Sequence, residues 1–213
     1  MESLTLGQAL RVSATMPVLL VLSVLVVAQA LERVYVFWFS QRLPDQLWRR
    51  VRSRLEDGDL TGAAGLCKLG AGTMEQALER LLSLPEPSME RLVETFQLYR
   101  QRLSMDLSRR VGFFGTCAFI APLIGLMGTV MGIMRAFHDL SATGAGGPAV
   151  VAAGISEALV ATAAGIGVAV MSSVVYNYFT LTARQRLSTA DLWVLEIASL
   201  LEQRREAQGA LQP

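Results

Sequence analysis

Three apolar stretches, 17–39, 113–137 and 149–178, set the terms for this 213-residue chain, because each is long enough to cross a bilayer. A hydrocarbon core of about 30 Å takes roughly 20 helical residues at 1.5 Å apiece. Inside lipid, backbone N–H and C=O groups find no water and must pair within the segment, so each stretch is read as a helix. Charged residues make up 17% of the chain and hydrophobic ones 52%, against roughly 25% charged in soluble domains. With so much of the chain in lipid there is no room for a large soluble catalytic domain. The formal net charge of +1 points to neither nucleic acid nor an acidic substrate. The expected molecule is an all-α membrane protein and not an enzyme. Three transmembrane helices carry long cytoplasmic helical extensions, in one integrated domain over 1–213.

Basic residues orient the spans. Twelve Lys and Arg residues, from Arg42 to Arg110, lie between the first two spans, and Arg184, Arg186, Arg204 and Arg205 follow the third. Cytoplasmic segments carry such an excess, so 40–112 and a C-terminal helix over 179–206 are placed inside. The other side receives Arg11 and the connection His138 to Pro148, which has no Lys or Arg. This puts the N-terminus outside and the C-terminus inside. Ala28 and Ala30 after an apolar run also resemble a signal-peptide cleavage site, but cleavage there would leave the Arg-rich middle segment outside. Glu32 and Arg33 interrupt the first span just before Tyr35, Phe37, Trp38 and Phe39, an aromatic belt at which charges can pair or snorkel.

The segment between the first two spans reads as helical. Leu47, Val51 and Leu55 form an apolar stripe, and Asp59–Leu69 and Met74–Leu84 form a short pair of helices separated by Gly70 and Gly72. Ser88 is an N-cap for a helix with Leu92, Phe96, Tyr99 and Leu103 on one side. With no further Pro until Pro122, that helix is expected to run unbroken from Met89 to Phe137, about 73 Å. The third span is expected to continue past Thr180, with Leu187, Leu192, Trp193, Leu195 and Leu200 as a packing seam.

Functional interest falls on the polar residues inside the second and third spans. A carboxylate in hydrocarbon costs about 2.5–3.5 kcal/mol on insertion scales, so Glu157 is a functional candidate. At 100° per residue, Ala169, Ser173 and Thr180 each fall within about 20° of Thr162, and Pro122, Thr129 and Ala136 likewise share a face. Such faces either line a polar lumen in an assembly or pack helices with each hydroxyl bonded to its own i−4 carbonyl; geometry alone leaves both open. Glu157 and Thr162, five residues apart, point roughly 140° away from each other. Gly128 and Gly132, with Gly125 beside them, and Ala161 and Gly165 have the spacing of close helix contacts. Without a preceding strand or a Lys-Ser/Thr ending these glycines support no nucleotide site. Cys67 and Cys117 lack a CxxC pattern and read as reduced thiols, and His138 alone cannot build a metal shell. No cofactor or metal is expected.

The strings Ala121-Pro-Leu-Ile-Gly-Leu-Met-Gly-Thr-Val130 and Gly154-Ile-Ser-Glu-Ala-Leu-Val-Ala-Thr-Ala-Ala-Gly165, followed by Tyr176 and Asn177, resemble the MotA/TolQ/ExbB proton-channel family. Three spans resemble its ExbB/TolQ branch rather than the four-span MotA branch. The resemblance implies a multi-pass protein of the bacterial inner membrane and a homopentamer around two single-span ExbD/TolR-like partners. The ion-binding intramembrane Asp belongs to those partners. It further implies Thr129 and Thr162 as pore-lining hydroxyls, with Glu157 as the pore-associated acid. Proton flow would drive rotation and mechanical work on the envelope, such as outer-membrane transport, envelope maintenance or gliding motility, through a TonB/TolA-like or motility effector. Met171 stands where the family usually has Pro, which removes a potential kink. Protons are expected over Na⁺, since Thr162 has no adjoining second hydroxyl in sequence. A non-conducting membrane scaffold is the alternative.

Overall fold

A computed structural model describes residues 15–37, 44–68, 70, 72–85, 88–143 and 147–209, and among these every regular element is a helix. In chain order they are α1 (Thr15–Tyr35), α2 (Asp45–Asp57), α3 (Leu60–Cys67), α4 (Thr73–Leu82), α5 (Met89–Ser108), α6 (Val111–Thr143) and α7 (Gly147–Gly209). Three of them, α1, α6 and α7, are long and apolar enough to cross a membrane. The aromatic belt falls only partly within the described residues, because Trp38 and Phe39 lie outside them. The chain divides into two compact units, Met1–Arg33 with Arg110–Phe179, and Val34–Arg109 with Thr180–Pro213.

The first unit is packed by small residues and covered by large ones. Ala121, Ala136, Ala158 and Ala161 are buried, whereas Phe119, Leu123, Met134, Leu159, Val170 and Val174 are exposed. That inversion is what a lipid-facing helix pair requires, since tails solvate Leu as well as protein does and only small residues let backbones approach. Phe114 of α6 and Phe179 of α7 stack at 6.3 Å near one end. Arg110 bonds the carboxylate of Glu32 from α1 at that same end.

Two expectations are corrected here. The helix expected to run from Met89 to Phe137 breaks: Arg109 leaves helical geometry at φ −54 and ψ 127, and Arg110 takes φ 60 in the left-handed region. Arginine is a good helix former and carries no breaker signal, so propensity does not account for the break, at which Arg110 pairs with Glu32. Second, residues 138–143 of the expected polar connection are the last turns of α6. The third span does continue past Thr180 as expected: 149–178 and 179–206 belong to one helix, α7, unbroken through Met171 and Thr180.

The second unit is a water-soluble type of core. Trp48 of α2 stacks on Trp193 of α7 at 4.9 Å and 8°, over Val51, Leu55, Leu78, Leu92, Phe96 and Ile197. The seam on α7 is Ala190, Trp193, Val194 and Ile197; Leu192 and Leu195, expected in it, are exposed at 60% and 46%. The Gly58-Asp59-Leu60 turn is explained residue by residue. Gly58 ends α2 at φ 88, a value that favours glycine. Asp59 then caps α3, accepting from the Gly62 N–H at 2.7 Å. Arg204 donates to the Glu56 carbonyl at 3.0 Å, satisfying the end of α2. Ser88 caps α5 as the sequence indicates, accepting from the Arg91 N–H at 3.3 Å. Arg100 grips Asp191 with two bonds of 2.7 and 3.1 Å, tying α5 to α7. Arg186 lies 4.7 Å from the Phe37 ring and donates to its carbonyl at 3.1 Å.

Candidate ion path

The site is built on the antiparallel contact of α6 and α7. A Cβ placed at Gly165 would lie 2.6 Å from the Ala121 carbonyl oxygen, and one at Gly125 would lie 2.9 Å from that of Ala161. Further along, the same construction puts Gly128 at 2.8 Å from Ala161 Cβ, Gly132 at 2.8 Å from Ala158 Cβ and Gly154 at 2.5 Å from Ala136 Cβ. Gly128 also faces Thr15 Oγ1 of α1 at 2.5 Å. These close approaches hold the two backbones near enough for side chains flanking the seam to meet. Pro122, half-buried, sits within α6 without ending it.

Thr129 and Thr162 meet in this way. The Thr162 hydroxyl lies 3.0 Å from the Gly125 carbonyl and 3.3 Å from Thr129 Oγ1, and it can donate to either. Thr129 donates to the Leu126 carbonyl at 2.6 Å, three residues back on its own helix. Both threonines are half-buried, so the pair opens toward the surface of the single chain. Thr162 therefore bonds across to α6 rather than to its own i−4 carbonyl. It also has the second hydroxyl that its sequence neighbours, Ala161 and Ala163, do not supply.

The other two residues singled out are not part of that cluster. Ser173 is half-buried on α7, eleven residues from Thr162, about 16 Å along the axis. Its neighbour Ser172 is fully buried and donates to the Val168 carbonyl at 2.8 Å. Glu157 is exposed, and its position on α7 turns it away from the threonine side. Sequence reading passes over Arg135, also exposed on α6; a basic residue 25 positions from the nearest other Arg, inside an apolar run, is the signal that marks it.

Cysteine chemistry is quiet. Both thiols are free and buried. Burial, with Glu75 and Glu79 nearby, pushes the Cys67 thiol up to about 11, leaving almost no thiolate near neutral pH. Among the described residues no group of three or more His, Cys, Asp or Glu is placed to hold a metal.

With this geometry in view, comparison with known proteins is direct. Residues 69–191 match the MotA/TolQ/ExbB proton channel family. The Tol-Pal system protein TolQ of Haemophilus influenzae is 34% identical over 145 residues, 68% of this chain and 62% of that protein. The biopolymer transport protein ExbB of Salmonella typhimurium is 41% identical over 91 residues, 38% of this chain and 37% of that one. An ExbB-like biopolymer transport protein of Synechocystis sp. is 32% identical over 191 residues, 85% of this chain and 73% of its own length. The chain thus spans under two thirds of the TolQ and well under half of the ExbB. A solved Campylobacter jejuni MotAB structure shares the fold, with a TM-score of 0.61, 17% identity, 90% of this chain and 77% of that one covered. Three apolar helices, a glycine-sealed helix pair and a match over more than half its length make this chain a membrane protein of the MotA/TolQ/ExbB proton channel family.

Proposed function

We propose that the chain is the pore-forming subunit of an ExbB/TolQ-like, proton-driven rotary motor in the bacterial inner membrane, turning proton motive force into work on the envelope. The observation that carries this reading is the threonine pair, two hydroxyls and the Gly125 carbonyl gathered where α6 and α7 cross. Hydroxyls both accept and donate, and the two positions open to Thr162 make a short relay for a proton arriving from a partner carboxylate. Three oxygens are fewer than the six or more that hard cations commonly recruit, which favours H⁺ over Na⁺.

In the assembly we propose, five copies surround the single helices of two ExbD/TolR-like subunits whose intramembrane Asp carries the proton. Thr129, Thr162 and Ser173 face that axis and Glu157 is the associated acid. The basic segment 40–112 and the end of α7 are cytoplasmic, with the N-terminus outside. Outer-membrane uptake, envelope maintenance and gliding motility are the processes such a motor would drive through a TonB/TolA-like or motility effector. A non-conducting scaffold is the second reading, favoured by the fact that Thr162 finds its partners within its own chain.

Reconstitution of the chain with its single-span partner in liposomes separates the two. Proton flux is expected, and Thr162→Val or Thr129→Val is expected to reduce it at least about tenfold, the effect of losing one well-placed polar group (about 1.4 kcal/mol), with the oligomer intact. Absence of flux supports the scaffold, and unchanged flux in both variants takes the two threonines off the ion path. Flux that follows a sodium gradient after the proton gradient is collapsed overturns the ion assignment.

A further inference from the structure

The α6–α7 contacts define an antiparallel register in which Gly132 faces Ala158 and Ala136 faces Gly154. In that register Arg135 stands opposite position 155 and Glu157 opposite position 133, a stagger of two residues or about 3 Å along the axes. Each precedes a seam residue by one step: Arg135 comes before Ala136 and Glu157 before Ala158. One step turns a side chain 100° from the contact direction, and equal steps on antiparallel helices turn toward the same side. The threonines demonstrate the rule. Thr129 and Thr162 each follow a seam residue, Gly128 and Ala161, by one step, and their hydroxyls meet at 3.3 Å. Arg135 and Glu157, each one step before the seam, share the opposite side.

We propose that in the bilayer Arg135, which has other contacts on the single chain, turns to form an ion pair with Glu157 of the same chain on the side of the α6–α7 hairpin away from the threonines, making Arg135 the positioning residue for Glu157. Both are exposed on the single chain and sit in stretches long and apolar enough to cross a membrane, where charges pair with one another rather than stand alone. A guanidinium has five N–H donors in a fork, enough to serve Glu157 together with Asp139, four residues on along α6. The pair holds the one acid of the α7 span behind the hydroxyl relay, so that Glu157 acts on the path from the rear of the helix pair. This last consequence rests on the ion-path reading; the pairing itself does not.

A double-mutant cycle on the purified chain in mild detergent tests it. Arg135→Gln and Glu157→Gln are each expected to lower the thermal midpoint by several degrees, and the double variant by no more than either alone. Arg135→Lys is expected to retain most of the wild-type midpoint, because it keeps the charge. Additive losses, or a Lys variant as damaged as the Gln variant, overturn the pairing. Should the neutralised chains not fold, the exchange R135E/E157R decides: a recovered folded protein supports the pair and an unrecovered one overturns it. Coupling without proton flux would sink the ion path and leave the pair standing, while flux with additive losses would sink the pair alone.

Discussion

Asp59 shows how much one side chain fixes in the second unit. Its carboxylate accepts from the Gly62 N–H, from Arg54 and from Thr61, and these bonds, the backbone one foremost, hold it below the ordinary aspartate value. A lowered folded-state value means that the carboxylate's contribution is complete above the unfolded value of about 3.9 and is lost as pH falls through the lower folded one. The thermal midpoint is therefore expected to drop in acid less steeply in Asp59→Asn than in the wild type, since Asn still caps but does not titrate. Identical acid limbs in differential scanning calorimetry would contradict this. Caps such as Asp59 and Ser88 are legible in sequence because their partners lie three residues away. The Thr129–Thr162 bond is not, because its partners are 33 residues apart and only the register of two helices brings them together.

Elements reveal which glycines are structural. At Gly165 a methyl group would meet the backbone oxygen of Ala121, which cannot turn aside, whereas at Gly167 nothing lies within 4 Å. Gly165→Ala is expected to cost roughly 1–3 kcal/mol of stability by forcing the helices apart. Gly167→Ala is expected to be neutral or slightly stabilising. Thermal melts of the two variants side by side check this, and equal behaviour would remove the seam from the argument. The small-residue spacing reveals this seam in sequence, and the membrane-crossing parts of α1, α6 and α7 follow from hydropathy. The break between α5 and α6 does not, because neither Arg109 nor Arg110 is a breaker and the pairing with Glu32 reaches back 78 residues.

At the scale of the whole molecule, a single copy leaves its threonine pair half-exposed and Arg135 and Glu157 exposed on helices faced largely with Val, Leu, Ile, Met and Phe. Assembly is the economical way to keep those groups from lipid. Native mass spectrometry in mild detergent is expected to show a homopentamer; monomers alone would refute assembly, and a tetramer or hexamer would refute the stoichiometry. The antiparallel glycine seam also makes the hairpin intolerant of changes in length. Inserting or deleting one residue between Gly125 and Ala136, or between Gly154 and Gly165, would rotate everything beyond it by 100° and slide it by 1.5 Å. The threonines would part, and Arg135 and Glu157 would no longer share a side. Among related chains, alignment gaps in this hairpin should therefore fall after Thr143 and before Gly147, where extra residues leave both halves in step.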